Sequence, residues 1–589
     1  MPFALLPPAA ILLYFKLTHM RTRSINGYLP LYLFGLVLPA LLACNKNIAV
    51  IESPGATITT TVDQTILPNQ VSTYPHLIGP NDVALFSQYG YGAWQYGAGA
   101  PYQKRIDLMS LNYTGNSVTN TALLANFFAI SDIHITDKES PAQAIYYGYK
   151  WGVISGYSPA MLYSTHMLDA AVHTINSLHK KKSFDFGLSI GDALNSSQYN
   201  ELKWFIDVMD GKVINPDSGE KDDPNPGPGN DYQDEFKAEG IDPSIKWYQA
   251  LGNHDHFWMG MFPPDQYILD KMTGNTILNL GNIFKDPSGI NSRGYYMGVI
   301  NGKTPNGEII GAGPVGSFTT PPTVSRDPNR RFVTRNEFMD AFLKSSGSPE
   351  GHGFTPATAA SGFANYTFEP KSDLPLKVIV LDNTNRDDRV VTDGYGRGFI
   401  DKERYDWLIS ELDKGQAEGK LMIITAHIPI KVVLQHTLMG EVMTWGSASY
   451  KNEDEMLVKL HTYSNLILWV SGHRHLSVIT PQKSPDPSRP ELGFWEVETP
   501  SLREFPQQFR SFRITRNSDQ TISIFATDVD PIAKEGSLVA KARSYAVAAN
   551  QLFNIVQEPM PSGVVNAELI KQLSPEMQAK LQNLGTPIK

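Results

Sequence analysis

From residue 121 onward, short apolar runs alternate with longer stretches in which apolar residues recur at helical spacing. The runs are "NFFAI", "FDFGLSI", "KWYQAL", "LKVIVL", "LMIIT" and "NLILWV", each the length of a buried strand. Between them, "SPAMLYSTHMLDAAVHTINSLHKKK" reads as a helix, with Ser158 placed to cap it, Pro159 suited to its first turn and a lysine run suited to its C-terminal end. "DKERYDWLISELDKG" reads as another, capped by Asp401. Strands alternating with helices predict an α/β core with buried sheets.

Two inserts break the alternation. "INPDSGEKDDPNPGPGNDY" is rich in Pro, Gly and Asp and reads as an exposed loop, whereas residues 257–375 are too long for a plain connection and predict a subdomain or lid. Residues 45–120 combine a Thr-rich tether with the Gly- and aromatic-rich "FSQYGYGAWQYGAGAPYQ", read as a collar. The core is expected over 121–534. Beyond it, residues 535–589 predict a helical tail in which "LVAKARSYAVAANQLFNIV" and "NAELIKQL" are amphipathic.

Length and composition narrow the class. A chain of 589 residues, 41% hydrophobic and 19% charged, has ample material for a core and too little charge for general disorder. Its net charge of -9, with no long basic run, excludes a nucleic-acid polymer as the expected partner. The single Cys44 excludes an intramolecular disulfide framework and any Cys-based zinc site. That cysteine ends "MRTRSINGYLPLYLFGLVLPALLAC", where Arg21 and Arg23 precede the apolar core Leu31 to Leu42 and a small-residue box. Residues 1–44 resemble a bacterial lipoprotein leader, in which Met20 is a better start than Met1. The resemblance implies an exported cell-envelope protein, periplasm-facing or on the surface, held to a membrane by a lipid on Cys44. A signal anchor and an ordinary buried thiol are the alternatives.

Candidate chemistry gathers in five polar clusters, each directly after an apolar run. They are "SDIHIT" with Asp132 and His134, "IGDALN" with Asp192, "LGNHDH" with Asn253, His254, Asp255 and His256, "TAHIPI" with His427, and "SGHRHLS" with His473 and His475. Open α/β sheets bind ligands at the carboxyl ends of their strands, so these clusters are expected around one point. Asp, Asn and His without thiolate suit zinc, iron or manganese. There are more donors than one ion needs, which points to a pair of divalent ions sharing a carboxylate, and Gly191 lets the backbone approach closely beside Asp192.

In order and type the clusters resemble the calcineurin-like metallophosphoesterase family, whose pattern runs D-x-H, G-D, G-N-H-D/E, H and G-H-x-H. The resemblance spans roughly residues 121–480. It implies a four-layer α/β sandwich of two mixed β-sheets flanked by helices. It also implies one metal on Asp132, His134, Asp192 and His475, and a second on Asp192, Asn253, His427 and His473. His254, oriented by Asp255, is implied to bind the phosphoryl group or protonate the leaving oxygen rather than to bind metal. Asn195 stands where purple acid phosphatases carry an iron-ligating Tyr, so a purple centre is not expected.

The expected activity is metal-dependent hydrolysis of a small phosphate ester, phosphodiesterase-like, with a phosphomonoesterase, a nucleotide or phospholipid phosphatase, or a non-catalytic ligand-binding lipoprotein as alternatives. His166, His173, His179, His436 and His461 are read as surface or packing residues, and His256 as either that or a support behind a ligand. Asp382 is read as a turn residue or a hydrogen-bond acceptor. In the insert, Arg330, Arg331, Arg335 and His352 could reach a substrate, although arginines solvated on a lid helix are the simpler reading.

Overall fold

The computed structural model describes residues 49–588 apart from 51–59, 70, 72–77, 154, 221–231, 282–292, 301, 303, 305, 387–393, 431–444 and 554–561. The leader with Cys44, much of the tether and His436 lie outside the described residues. Among the described residues, no helix is long and apolar enough to cross a membrane.

The apolar runs form strands as expected. In chain order the strands of the two main sheets are β1 (Gln103–Arg105), β2 (Asn120–Ile130), β3 (Phe186–Ser189), β4 (Trp247–Gln249), β5 (Tyr366–Phe368), β6 (Leu376–Leu381), β7 (Leu421–Ala426), β8 (Leu466–Ser471), β9 (Val478–Gln482), β10 (Phe494–Glu498), β11 (Phe509–Asn517), β12 (Ile522–Val529) and β13 (Asn566–Lys571), of which β2, β3, β4, β6, β7 and β8 are the apolar runs. One sheet runs β1-β13-β12-β11-β2-β3-β4, with Thr586–Pro587 also paired to β2. The other runs β5-β6-β7-β8-β10-β9. Both are mixed: β2, β3 and β4 are parallel to one another, as are β6, β7, β8 and β10, with antiparallel strands beside them.

The two-residue period of each strand divides its side chains between two cores. Phe127, Phe186 and Leu188 of the first sheet meet Val378, Ile423, Leu468 and Trp495 of the second in the space between the sheets. Phe128 and Ile130 face outward against Leu168, Val172 and Ile175 of helix α1 (Ser164–Lys181). On the far side, Ile379, Ile424 and Trp469 face Leu408 and Leu412 of α2 (Lys402–Ala417). The result is helix, sheet, sheet, helix, the four-layer arrangement expected. Ser158 accepts from the Ala160 amide at the entry to α1, through a short 3-10 turn, and Asp401 caps α2 by accepting from the Arg404 amide at 2.8 Å.

Two expectations change. "NAELIKQL" forms strand β13 rather than a helix, because Ala567 and Leu569 face the inter-sheet core while the backbone pairs with β12, although the helix Leu538–Phe553 does form ahead of it. Tertiary pairing outweighs a short amphipathic helix, which is marginal alone. The insert is folded against its neighbours: a small antiparallel meander (Asn279–Leu280, Tyr295–Val299, Ile310–Pro314) shares a core with Tyr146 and Tyr147, and β5 joins the edge of the second sheet. Arg330, Arg335 and His352 are ties rather than solvated groups. Arg330 is buried, with Nε 3.1 Å from Asp137 Oδ2, and Arg335 is buried against Asp382 and the Asn385 carbonyl. His352 stacks on Trp247 with ring centroids 3.7 Å apart, while Arg331 is exposed and pairs with Glu337.

A buried acid on the second sheet gives the fold a pH dependence of its own. Glu496 on β10 accepts from the Ile430 amide at 2.7 Å and from Gln482 Nε2 at 2.6 Å. Burial, then the neighbouring Glu498, pushes its carboxyl from an ordinary 4.5 up to about 8. The folded protein therefore keeps a proton that the unfolded chain releases, so this stability is complete below about pH 4.5 and is lost as pH rises toward 8. Glu496→Gln keeps the acceptor, and Gln482 can turn its carbonyl oxygen to the new amide. Urea unfolding should show the variant near wild type at pH 4.5 and more stable by about 3–5 kcal/mol at pH 9, because each tenfold change in proton affinity is worth about 1.4 kcal/mol. Equal curves at both pH values would exclude a buried neutral Glu496.

Candidate metal centre

Every ligand-type residue predicted from sequence lies where a parallel strand ends. Asp132 and His134 follow β2, Asp192 follows β3, Asn253 opens a 3-10 turn after β4, His427 follows β7, and His473 and His475 follow β8. The loops leave their strands in an unusual backbone state. Asp132, His134, Asp192, His473 and His475 have φ of 51°, 49°, 51°, 71° and 61°, the left-handed region that costs an L-residue about 1–2 kcal/mol each. Such strain persists only where the surroundings over-determine it.

The surroundings do so with backbone and carboxylate ties. The Asp132 amide donates to Gly191 O at 3.2 Å, the His134 amide to Asp192 O at 3.0 Å and the Ile135 amide to Ala193 O at 2.9 Å, which zips the first two loops together beyond their strands. Gly191, at φ 90°, is packed so that an added Cβ would sit 2.6 Å from the Gly252 amide nitrogen, which is the close approach expected there. Asp132 accepts the His473 amide at 2.9 Å, joining a loop of one sheet to a loop of the other, and Ser501 donates to the Asp132 carbonyl at 2.7 Å. Arg474, between the two histidines of its loop, makes paired 2.6 Å contacts with both oxygens of buried Glu498. Sequence reasoning noticed neither this pair nor Ser501.

The side chains converge. Ligand atoms of Asp132, His134 and His475 lie within 4.8 Å of one another, as do those of His134, Asp192 and His254, and those of Asp192, His427 and His473. Asp192 Oδ2 is 3.2 Å from His427 Nε2 and 3.8 Å from His134 Nε2, so its carboxylate is common to two groups. His475 Nε2 is 3.2 Å from Asp132 Oδ1, and Asn253 Oδ1 is 3.0 Å from His427 Nε2. All are buried except His475, which is 15% exposed and marks the open side.

His254 belongs to the same cluster, but its support differs from the expected one. Its Nδ1 lies 2.7 Å from the Asn195 carbonyl, and its amide donates to Asp192 Oδ1 at 2.8 Å. Asp255 is not turned to the ring. Its carboxylate accepts the amides of Gly252 at 2.8 Å, Asp192 at 3.0 Å and Leu194 at 3.2 Å, so it holds the Asp192 loop to the His254 loop. The reason is chain direction: a 3-10 turn brings the third residue back onto the amide that precedes it. Asn195, singled out from sequence only as the absence of a Tyr, orients His254 and receives Arg503 at its side-chain oxygen. His256 reaches Thr384 at 3.0 Å and Arg335 at 3.3 Å, behind the site. Asp382 is the buried acceptor for Arg335 and Arg404.

The electrostatics ask for cations. Burial opposes ionisation of Asp192, but the His427 and His254 rings beside it win and hold it well below the ordinary carboxylate range. Asp132 is lowered likewise, against burial, by His475. Burial disfavours charge on His427 and His475 too, yet Asp192 raises His427 to about 9, and Glu504 with Asp132 raises His475 well above its ordinary value. His134 and His473 go the other way: burial and then His254 push the first well below its usual value, while burial and then His427 push the second to about 3. Burial, then Asp192, raises Asp255 to about 8. Among the described residues no Lys or Arg pairs with Asp132 or Asp192. Protons on two rings are therefore the counter-charge available within the cluster.

This set fits divalent metal. It has two buried carboxylates and converging imidazoles, and it includes a buried ring nitrogen, His473 Nε2, with no hydrogen-bond partner. Imidazole and carboxylate without thiolate are donors for zinc, iron or manganese.

No family model matches the chain, and no curated protein does. Among solved structures, the chain is similar to a dimetal phosphatase from Danio rerio, at 10% identity and a TM-score of 0.35, over 70% of this chain and 97% of that one.

Proposed function

We propose that the chain is a metal-dependent phosphoric ester hydrolase of the calcineurin-like metallophosphoesterase kind, acting on diesters in preference to monoesters. The observation that carries this is the convergence of Asp132, His134, Asp192, Asn253, His427, His473 and His475 on one point, with Asp192 shared and His254 beside them. Divalent metal held by Asp132, His134, Asp192 and His475, and by Asp192, Asn253, His427 and His473, would supply Lewis-acid polarisation of the phosphoryl oxygens and activation of water.

The protein's own groups do the rest. With its Nδ1 proton held by the Asn195 carbonyl, His254 keeps Nε2 for the substrate, and an arriving phosphoryl anion favours the protonated ring. Proton donation to the leaving oxygen is thereby coupled to substrate arrival. The buried Asp255 ties keep the Asp192 and His254 loops at fixed separation, which preserves this geometry. The leader sequence supports an exported protein anchored through Cys44.

The test is hydrolysis of bis(p-nitrophenyl) phosphate beside p-nitrophenyl phosphate by the full chain, with added manganese and after chelation. Metal-dependent turnover, faster on the diester, is expected. Stoichiometric metal with no turnover of either ester would favour a ligand-binding protein, and no metal binding would end the reading.

A further inference from the structure

Three imidazoles of the site have Nδ1 set against an oxygen, and for two of them that oxygen is backbone: Ile190 O for His427 at 2.8 Å and Asn195 O for His254 at 2.7 Å. The third is held differently. His475 Nδ1 lies 2.9 Å from Glu504 Oε1, while its Nε2 faces inward, 3.2 Å from Asp132 Oδ1 and 3.1 Å from His134 Nε2. That Glu504 oxygen is buried and takes no hydrogen bond from elsewhere. On the same half of the site, His134 Nδ1 is buried without a partner. Among these contacts, then, Glu504 is the one acidic side chain set against the outer nitrogen of a ligand ring.

A carboxylate at Nδ1 keeps the ring proton on the outer side and frees Nε2 as a donor, while its charge makes the ring more basic. A backbone carbonyl supplies the first effect with much less of the second. Resting on the metal-dependent reading above, we propose that Glu504 is a positioning residue that sets the cation affinity of the Asp132, His134 and His475 half of the site. The Asp192, His427 and His473 half is left to its backbone supports. The two halves then respond unequally to loss of Glu504, which stands at the rim with 16% of its side chain exposed and carries no part of the core.

The full chain, stripped with chelator, is titrated with Mn2+ by calorimetry and followed by electron paramagnetic resonance. Wild type should bind two ions and show a spin-coupled pair. Glu504→Ala should weaken one ion about 10–100-fold, as loss of such supports does, leave the other unchanged, and give the signal of isolated ions at the same concentration. Glu504→Gln, which keeps an acceptor and loses the charge, should fall between them, and it decides the matter should the alanine variant not fold. Identical isotherms and coupled signals in wild type and variants would overturn the proposal, as would equal weakening of both ions. Absence of Mn2+ binding by wild type would instead overturn the metal-dependent reading beneath it.

Discussion

Asp192→Asn should lower kcat/KM on any phosphate ester the chain cleaves by more than about 100-fold, beyond the range set by residues that only support a ligand. The change is nearly isosteric. Asn Oδ1 can still accept the His254 amide that Asp192 accepts at 2.8 Å, so the loop should keep its place. What disappears is the charge common to two of the three donor groups. Metal content, measured after dialysis, should fall together with activity, and the stripped variant should be less stable near neutral pH, because His427 loses the carboxylate that holds its proton. A variant with full metal content and wild-type turnover would show that Asp192 is not shared.

The second large effect comes from a residue with no chemistry of its own. Gly260 sits at φ 66°, and a Cβ added there would meet His254 at 2.2 Å from Cδ2 and 2.4 Å from Nε2, and Asn253 at 2.5 Å from Nδ2. Its carbonyl also accepts Asn253 Nδ2 at 3.0 Å, which turns Asn253 Oδ1 toward His427. Gly260→Ala must move a proton donor, a ligand or both. Activity should fall about 10²- to 10⁴-fold, the usual worth of a positioned acid, with about 1–2 kcal/mol of stability lost to backbone strain. If the loss passes through His254, adding Gly260→Ala to His254→Ala should cost little more than His254→Ala alone. A full further loss in the double variant would place the damage at Asn253 instead.

The donor set was legible because each member directly follows an apolar run, and strand ends are where parallel sheets present side chains. Fold class was legible for the same reason, since runs and helical stretches alternate. The supports were not. Glu504, Ser501 and Glu498 lie in segments remote from the rings and loops they brace, and no local spacing announces that meeting. Asp255 misled because the family pattern implied that it orients His254, whereas a tight turn directs consecutive side chains apart. Arg330 and Arg335 looked solvated because charged residues usually are; their partners Asp137 and Asp382 come from other loops. "NAELIKQL" satisfies helix and strand patterns alike over so few residues, and the open edge of β12 decides between them.

That strand has a bearing on when the protein can work. The sheet that presents Asp132, Asp192 and Asn253 takes its strands from residues as far apart as 103 and 571, and Thr586–Pro587 closes onto β2 beside them. A chain emerging from its N-terminal end therefore has every candidate ligand in hand long before this sheet can be completed. Pairings of such long range form late and slowly. Capture of metal should accordingly follow completion of the polypeptide, in whatever compartment holds the finished chain, and the ions available there would decide the cargo of the site.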